Sequence, residues 1–227
     1  MDYLNQFTFG IYPYIALSIF LLGSLIRFDR EQYSWKSESS QTLHRGNLRL
    51  GNILFHIGIL GLFFGHAVGL LTPYGFWAAL GISTADKQLF AIVGGGVMGL
   101  VTLAGLLILL HRRFTNDRLN AVTTIKDKVV LLWILATLLI GLSTIVTSSS
   151  HMDGALMVQF MNWAQRIVTF RGDAASFVAD APMLFKLHLF MGMSLFVIFP
   201  FTRLVHVWSG FGAVTYLGRA YQLVRPR

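Results

Sequence analysis

Four histidines stand inside long apolar stretches of this sequence: His56 and His66 in one, His188 and His206 in another. An ionisable side chain is costly in hydrocarbon, and there it marks a functional partner or a paired polar group. Imidazole is also a common metal ligand, because one ring nitrogen can bind the metal while a hydrogen bond orients the other. Two imidazoles at one depth suit an iron that takes both axial ligands from protein, a coordination that favours electron transfer over oxygen binding. The sequence contains no cysteine. Disulfides, protein-held iron–sulfur clusters and thiolate metal sites are therefore excluded, and any redox chemistry belongs to a cofactor held by other ligands. A hydrogen-bonded packing role is the alternative for any single membrane histidine, but four at matched depths favour ligation. His44, His111 and His151 fall in connections or at a span end and read as solvated or interfacial.

The elements that must carry these residues follow from composition. The chain has 227 residues, 55% hydrophobic and 12% charged, with a mean hydropathy of +0.63, which makes the bilayer its solvent. Five apolar stretches reach the ~20 helical residues needed to cross hydrocarbon. They run from Phe7 to Ile26, Leu50 to Leu71, Leu89 to Leu110, Val129 to Ser148 and Met183 to Val207. The fold class is therefore all-α, an integral membrane bundle of five transmembrane helices forming one domain over residues 1–227. The stretch before Arg27 has no Lys or Arg and one acid, Asp2, so it lacks the basic start of a secretory signal.

Positive charges orient the bundle. One side receives Arg27, Arg30, Lys36, Arg45 and Arg49, then Arg112, Arg113, Arg118, Lys126 and Lys128, then Arg203, Arg219, Arg225 and Arg227. The other side receives Lys87, Arg166, Arg171 and Lys186. Basic residues gather on the cytoplasmic side, which predicts an outside N-terminus and a cytoplasmic C-terminus. The net charge of +8 is thus accounted for without nucleic acid.

This topology pairs the histidines. The second span runs inside to outside and the fifth runs back, so His66 meets His188 near the outer face and His56 meets His206 near the inner one. Two haem b groups, one near each face, are expected, with these four residues as axial ligands of iron. On a continuous helix His188 and His206 share a face ~27 Å apart, whereas His56 and His66 are ~15 Å apart and differ in direction by ~80°. Helix tilt, rotamers and iron position must absorb ~6 Å at each end.

Gly58, Gly61, Gly65 and Gly69 on the second span, Gly94, Gly95 and Gly96 on the third, and Gly192 after His188 leave room for a flat macrocycle. They equally permit close helix packing, for which Gly61-x-x-x-Gly65-x-x-x-Gly69 is a usual pattern. Arg112, Arg113 and Arg203 stand at the inner boundary, where they could contact haem propionates or snorkel to the interface. Leu156, Phe160, Trp163, Ile167 and Phe170 recur at helical spacing. They predict a short helix lying in the interface with the Trp163 N–H kept wet, or packed on the bundle. Residues 209–227 form a basic cytoplasmic tail that meets partner subunits or the lipid surface.

Over nearly its whole length the chain resembles the gamma subunit of membrane-bound respiratory nitrate reductase. The resemblance is carried by IYPYIA from Ile11, NILFHIGILGLFFGH from Asn52, LLTP from Leu70, HMDG from His151 and WAQRIVTF from Trp163. It continues in LFKLHLFMGMSLFVIFPFTRLVHVWS from Leu184 and the terminal YQLVRPR. It implies a distal haem b on His66 and His188 and a proximal haem b on His56 and His206. It also implies a site oxidising menaquinol or ubiquinol beside the distal haem. There a lysine in the loop after the second span, Lys87 in this sequence, donates to a quinone oxygen, and Gly65 with His66 forms the opposing wall. Electrons would pass inward from distal to proximal haem and on to an iron–sulfur beta subunit, which feeds a molybdenum-containing alpha subunit that reduces nitrate. The expected location is the bacterial cytoplasmic (inner) membrane.

Other functions use similar residues. A cytochrome b subunit of a formate dehydrogenase or a heterodisulfide reductase-like assembly would differ in its partners. A transporter with a histidine proton relay, or a plain membrane anchor, would be colourless. The matched depths of the histidines and the lack of an inverted repeat disfavour these last two.

Overall fold

In hydrocarbon every backbone N–H and C=O needs an internal partner, and an α-helix provides one within a single segment. The computed structural model describes residues 3–31, 47–150 and 152–208, and among these the chain is helical, without strands. Five helices among the described residues are long and apolar enough to cross a membrane: Tyr3–Arg30, Leu48–Leu71, Thr84–Thr115, Ile125–Ser149 and Met183–Phe201. His44, His151 and the basic tail lie outside the described residues.

The first span comprises α1 (Tyr3–Gln6), a π turn (Phe7–Ile11) and α2 (Tyr12–Glu31). Pro13 explains the wide turn. It has no N–H to offer the Phe9 carbonyl four residues earlier, and its ring pushes that carbonyl outward. Trp163 captures it, its Nε1–H donating to Phe9 O at 2.9 Å. Trp163 belongs to α8 (Ala155–Val168), the predicted short helix. Its ring is buried among Phe9, Phe160, Ile167 and Val178, so the N–H is satisfied by backbone and not by water. The helix is packed on the bundle, which corrects the wet interfacial reading.

α3 (Leu48–Leu71) packs on α5 (Thr84–Thr115) through glycine. A Cβ at Gly58 would stand 2.6 Å from the Thr102 backbone nitrogen, one at Gly105 2.8 Å from Phe55 Cα, and one at Gly61 2.8 Å from Met98 Cγ. Gly65 and Gly69 would meet nothing within 4 Å. The packing stripe therefore runs through Gly51, Gly58 and Gly61, and the helices part beyond it. α4 (Tyr74–Ala79) and α6 (Asp117–Val122) are single-turn connections absent from the sequence reading.

α5 and α7 (Ile125–Ser149) begin earlier than their apolar runs because capping boxes start them: Ser83 with Asp86, and Thr124 with Asp127. Each pairs a hydroxyl with the backbone N–H three residues on and returns a carboxylate to the cap N–H. The two helices join through a core of Leu106, Leu110, Val130, Ile134 and Leu138.

The last span does not continue to Val207 as one helix. α9 covers Met183–Ile198, followed by 3-10 turns at Phe199–Phe201 and Arg203–Val205. Pro200 cannot donate to the carbonyl a turn earlier, and Thr202 is extended at φ −123°. Arg27 of α2 stabilises the break, donating from Nη1 to Pro200 O at 2.7 Å and Thr202 O at 3.0 Å. The premise that His188 and His206 share one continuous helical face is thus overturned.

Helix neighbours run in the order α3, α5, α7, α9 and α2. α3 and α9 share no comparable packed interface among the described residues. α3 meets α9 through His66 and His188, and His56 meets His206 beyond the end of α9.

Candidate functional site

The structure brings the histidines together in the pairs that antiparallel topology selects. The His66 and His188 ring centres are 6.0 Å apart, and those of His56 and His206 are 6.2 Å apart. A metal–imidazole bond of about 2 Å, with about 1.2 Å from nitrogen to ring centre, sets two rings sharing one ion about 6.4 Å apart.

The other ring nitrogens fix the tautomer. A carbonyl can only accept, so each Nδ1 bonded to one must carry the proton. His56 Nδ1–H donates to Asn52 O at 2.8 Å and His66 Nδ1–H to Leu62 O at 2.7 Å, each one turn back on α3. His206 Nδ1–H donates to Arg203 O at 2.6 Å. His188 Nδ1–H reaches across to Thr137 O on α7 at 3.2 Å. In all four rings Nε2 is left with its lone pair. Two such acceptors cannot hydrogen-bond each other, but each pair can share a cation. This arrangement of outer hydrogen bonds is typical of metal-binding imidazoles.

Among the described residues no cluster of three or more His, Cys, Asp or Glu could hold a metal by itself. Two ligands per site therefore suit an ion that brings its own equatorial donors, as haem iron does. Gly69 lies three residues after His66 and Gly192 four after His188, on the histidine faces, and a Cβ at either would meet no atom within 4 Å. The same holds for Gly65, Gly94 and Gly95. A flat macrocycle between α3 and α9 fits these residues.

Gly141, which the sequence reading passed over, makes His188 possible. A Cβ there would stand 2.6 Å from His188 Cε1. Its signal was faint: a glycine one turn after Thr137 on the only span with neither a histidine nor another glycine.

Lys87 lies in the first turn of α5 and not in the preceding loop. It is 6% exposed. Nζ donates to Gly69 O at 2.6 Å and to Met161 Sδ at 2.8 Å, and lies 5.1 Å from the Trp77 ring centre. Gly69 needs this donor because Pro73, four residues on, has no N–H. Gln165 likewise caps Leu70 O and Thr72 O. The ammonium is thus held at the C-terminal end of α3, where the helix dipole favours a cation, one turn beyond His66.

At the opposite end Arg203 Nε donates to Asp127 Oδ1 at 2.6 Å, and Arg113 Nη1 lies 3.7 Å from Asp127 Oδ2. Arg112 is buried near the end of α5. It lines a cleft with Asn47, Leu107, Ile108 and His111. His111, expected at a span end, stands exposed near the C-terminal end of α5, which runs on to Thr115.

A membrane bundle that holds paired imidazoles at two places along its helices has the make-up of a membrane electron-transfer subunit. Residues 5–227 match the family model described as nitrate reductase gamma subunit. The chain is 47% identical over 227 residues to the respiratory nitrate reductase 2 gamma chain of Escherichia coli (strain K12), covering 100% of this chain and 99% of that one. It is 46% identical to the respiratory nitrate reductase 1 gamma chain of the same organism, covering 100% of both. It is 36% identical over 223 residues to the nitrate reductase gamma chain of Bacillus subtilis (strain 168), covering 98% of this chain and 99% of that one. The chain belongs to the nitrate reductase gamma subunit family, and is a multi-pass protein of the bacterial inner membrane.

Proposed function

We propose that this chain is the dihaem membrane subunit through which electrons from quinol reach the cytoplasmic subunits of a respiratory nitrate reductase. The observation that carries the reading is the pair of imidazole pairs, His66 with His188 and His56 with His206, each ring presenting Nε2 because its Nδ1–H is engaged by a carbonyl. Bound haem b supplies one-electron transfer at each pair. The chain supplies position, and the hydrogen bonds to Nδ1 tune ligand basicity.

Charge asymmetry favours an outside N-terminus and a cytoplasmic C-terminus, which sets the His66 and His188 pair toward the outer face. Lys87 would donate to an oxygen of menaquinol or ubiquinol there, with Gly65 as the opposing wall. An ammonium has three donors, so the contacts with Gly69 and Met161 leave it capacity for a substrate oxygen. Protons released at this position leave outward. At the inner end Arg112 and Arg203 are the proposed propionate partners, since a guanidinium with five donors can serve Asp127 and a second anion together. Residues 209–227 would meet an iron–sulfur beta subunit, which passes electrons to a molybdenum-containing alpha subunit.

A haem assay and reduced-minus-oxidised spectra of the purified complex test this. Two haem b signals are expected, with His66→Ala and His56→Ala each removing a different one. A colourless preparation, or an unchanged spectrum in either variant, overturns the reading.

A further inference from the structure

His206 differs from the other three candidate ligands because it lies beyond the break that ends α9, at the first α-helical residue after a 3-10 turn. It follows an extended Thr202 and the 3-10 turn Arg203–Val205, and its Nδ1–H donates to the carbonyl of Arg203 in that turn. The ring orientation therefore follows the placement of Arg203. The Arg203 side chain is gripped by Asp127, at 2.6 Å from Nε to Oδ1.

Asp127 is itself enclosed and held at several points. It is 8% exposed, and sits at the third position of the α7 capping box. There Oδ2 accepts from Thr124 N–H at 3.3 Å, and its own N–H donates to Thr124 Oγ1 at 3.2 Å. Arg113 of α5 approaches the same oxygen. A carboxylate so enclosed is retained only if its charge is matched, and two guanidiniums match it here. From this geometry we propose that Asp127 is a positioning residue for His206. By holding the Arg203 side chain, it sets the backbone carbonyl that orients the imidazole toward His56. This rests on the haem reading of the histidine pairs above.

The linkage runs from carboxylate to guanidinium, to carbonyl, to imidazole, and includes no group at the His66 and His188 pair, whose acceptor on α7 is Thr137 O. That second pair is an internal control. In the complex purified with its partner subunits, Asp127→Asn keeps the side-chain size and a cap acceptor but removes the charge. The expected result is a shift in the low-spin EPR signal and midpoint potential of the haem on His56 and His206, with haem retention at that site weakened roughly tenfold, as for other outer partners of ligating imidazoles. The signals from the His66 and His188 haem stay unchanged. Thr124→Ala opens the helix cap while leaving the Asp127 to Arg203 pair, and is expected to lower thermal stability without moving either haem signal.

Unmoved signals in Asp127→Asn overturn the proposal, as do equal shifts in both haems or a Thr124→Ala variant that reproduces the shift. Should Asp127→Asn fail to accumulate, Asp127→Glu is read the same way, because it retains charge but displaces it by one methylene. Absence of haem from the unmodified complex would instead defeat the underlying haem reading.

Discussion

The backbone of Gly141 lies against the imidazole of His188, so closely that a Cβ would stand 2.6 Å from Cε1 and 3.3 Å from Nε2. α7 carries no histidine, yet it provides both the gap for this ring and, through Thr137 O, the acceptor that orients it. Gly141→Ala should force the ring aside at a cost of about 1–3 kcal/mol, the range for overpacking a filled site. Spectra of the variant complex should lose or shift the signal assigned to His66 and His188 and retain the other. Two unchanged signals would show that the ring has room after all.

Lys87 serves two ends, a helix terminus and the proposed quinol site. Lys87→Met keeps an unbranched chain of similar length and removes the donors. Leaving Gly69 O without its partner should lower stability by about 1–3 kcal/mol. Quinol oxidation should fall by ~10²-fold or more, the lower range for loss of a group that assists proton transfer. Both haem signals should remain, and quinol turnover at the unmodified rate would remove Lys87 from the site.

Trp163→Phe separates packing from chemistry. The side chain stays aromatic but loses the indole's second ring, and Phe9 O loses its donor inside the core formed by Phe160, Ile167 and Val178. A buried carbonyl without a partner costs about 1–3 kcal/mol. A lower melting temperature in detergent with unaltered haem spectra is expected. An unchanged melting temperature would mean that water or a rearranged backbone satisfies Phe9.

The number of spans and the histidine pairs were legible because apolar length and depth are one-dimensional properties of a membrane chain. The histidines needed only the order of the helices to find their partners. What stayed hidden depended on the absence of an N–H or of a Cβ. Pro13 liberates Phe9 O, Pro73 liberates Gly69 O, and Pro200 breaks the last span, so the acceptors met by Trp163, Lys87 and Arg27 come from proline positions rather than motifs. The glycine stripe was readable as a stripe, but which members pack and which border open space depends on where α3 and α5 diverge. Asp127 went unremarked because, read alone, it is simply the acidic end of a capping box.

The bonds from Arg27 to Pro200 O and Thr202 O join positions 173 and 175 residues apart. Arg27 thus acquires these acceptors only when the segment around Pro200 has been made. A nascent chain halted before Pro200 offers neither acceptor to Arg27, so the clasp across the break that precedes His206 is a contact of the completed bundle and not of its separate helices.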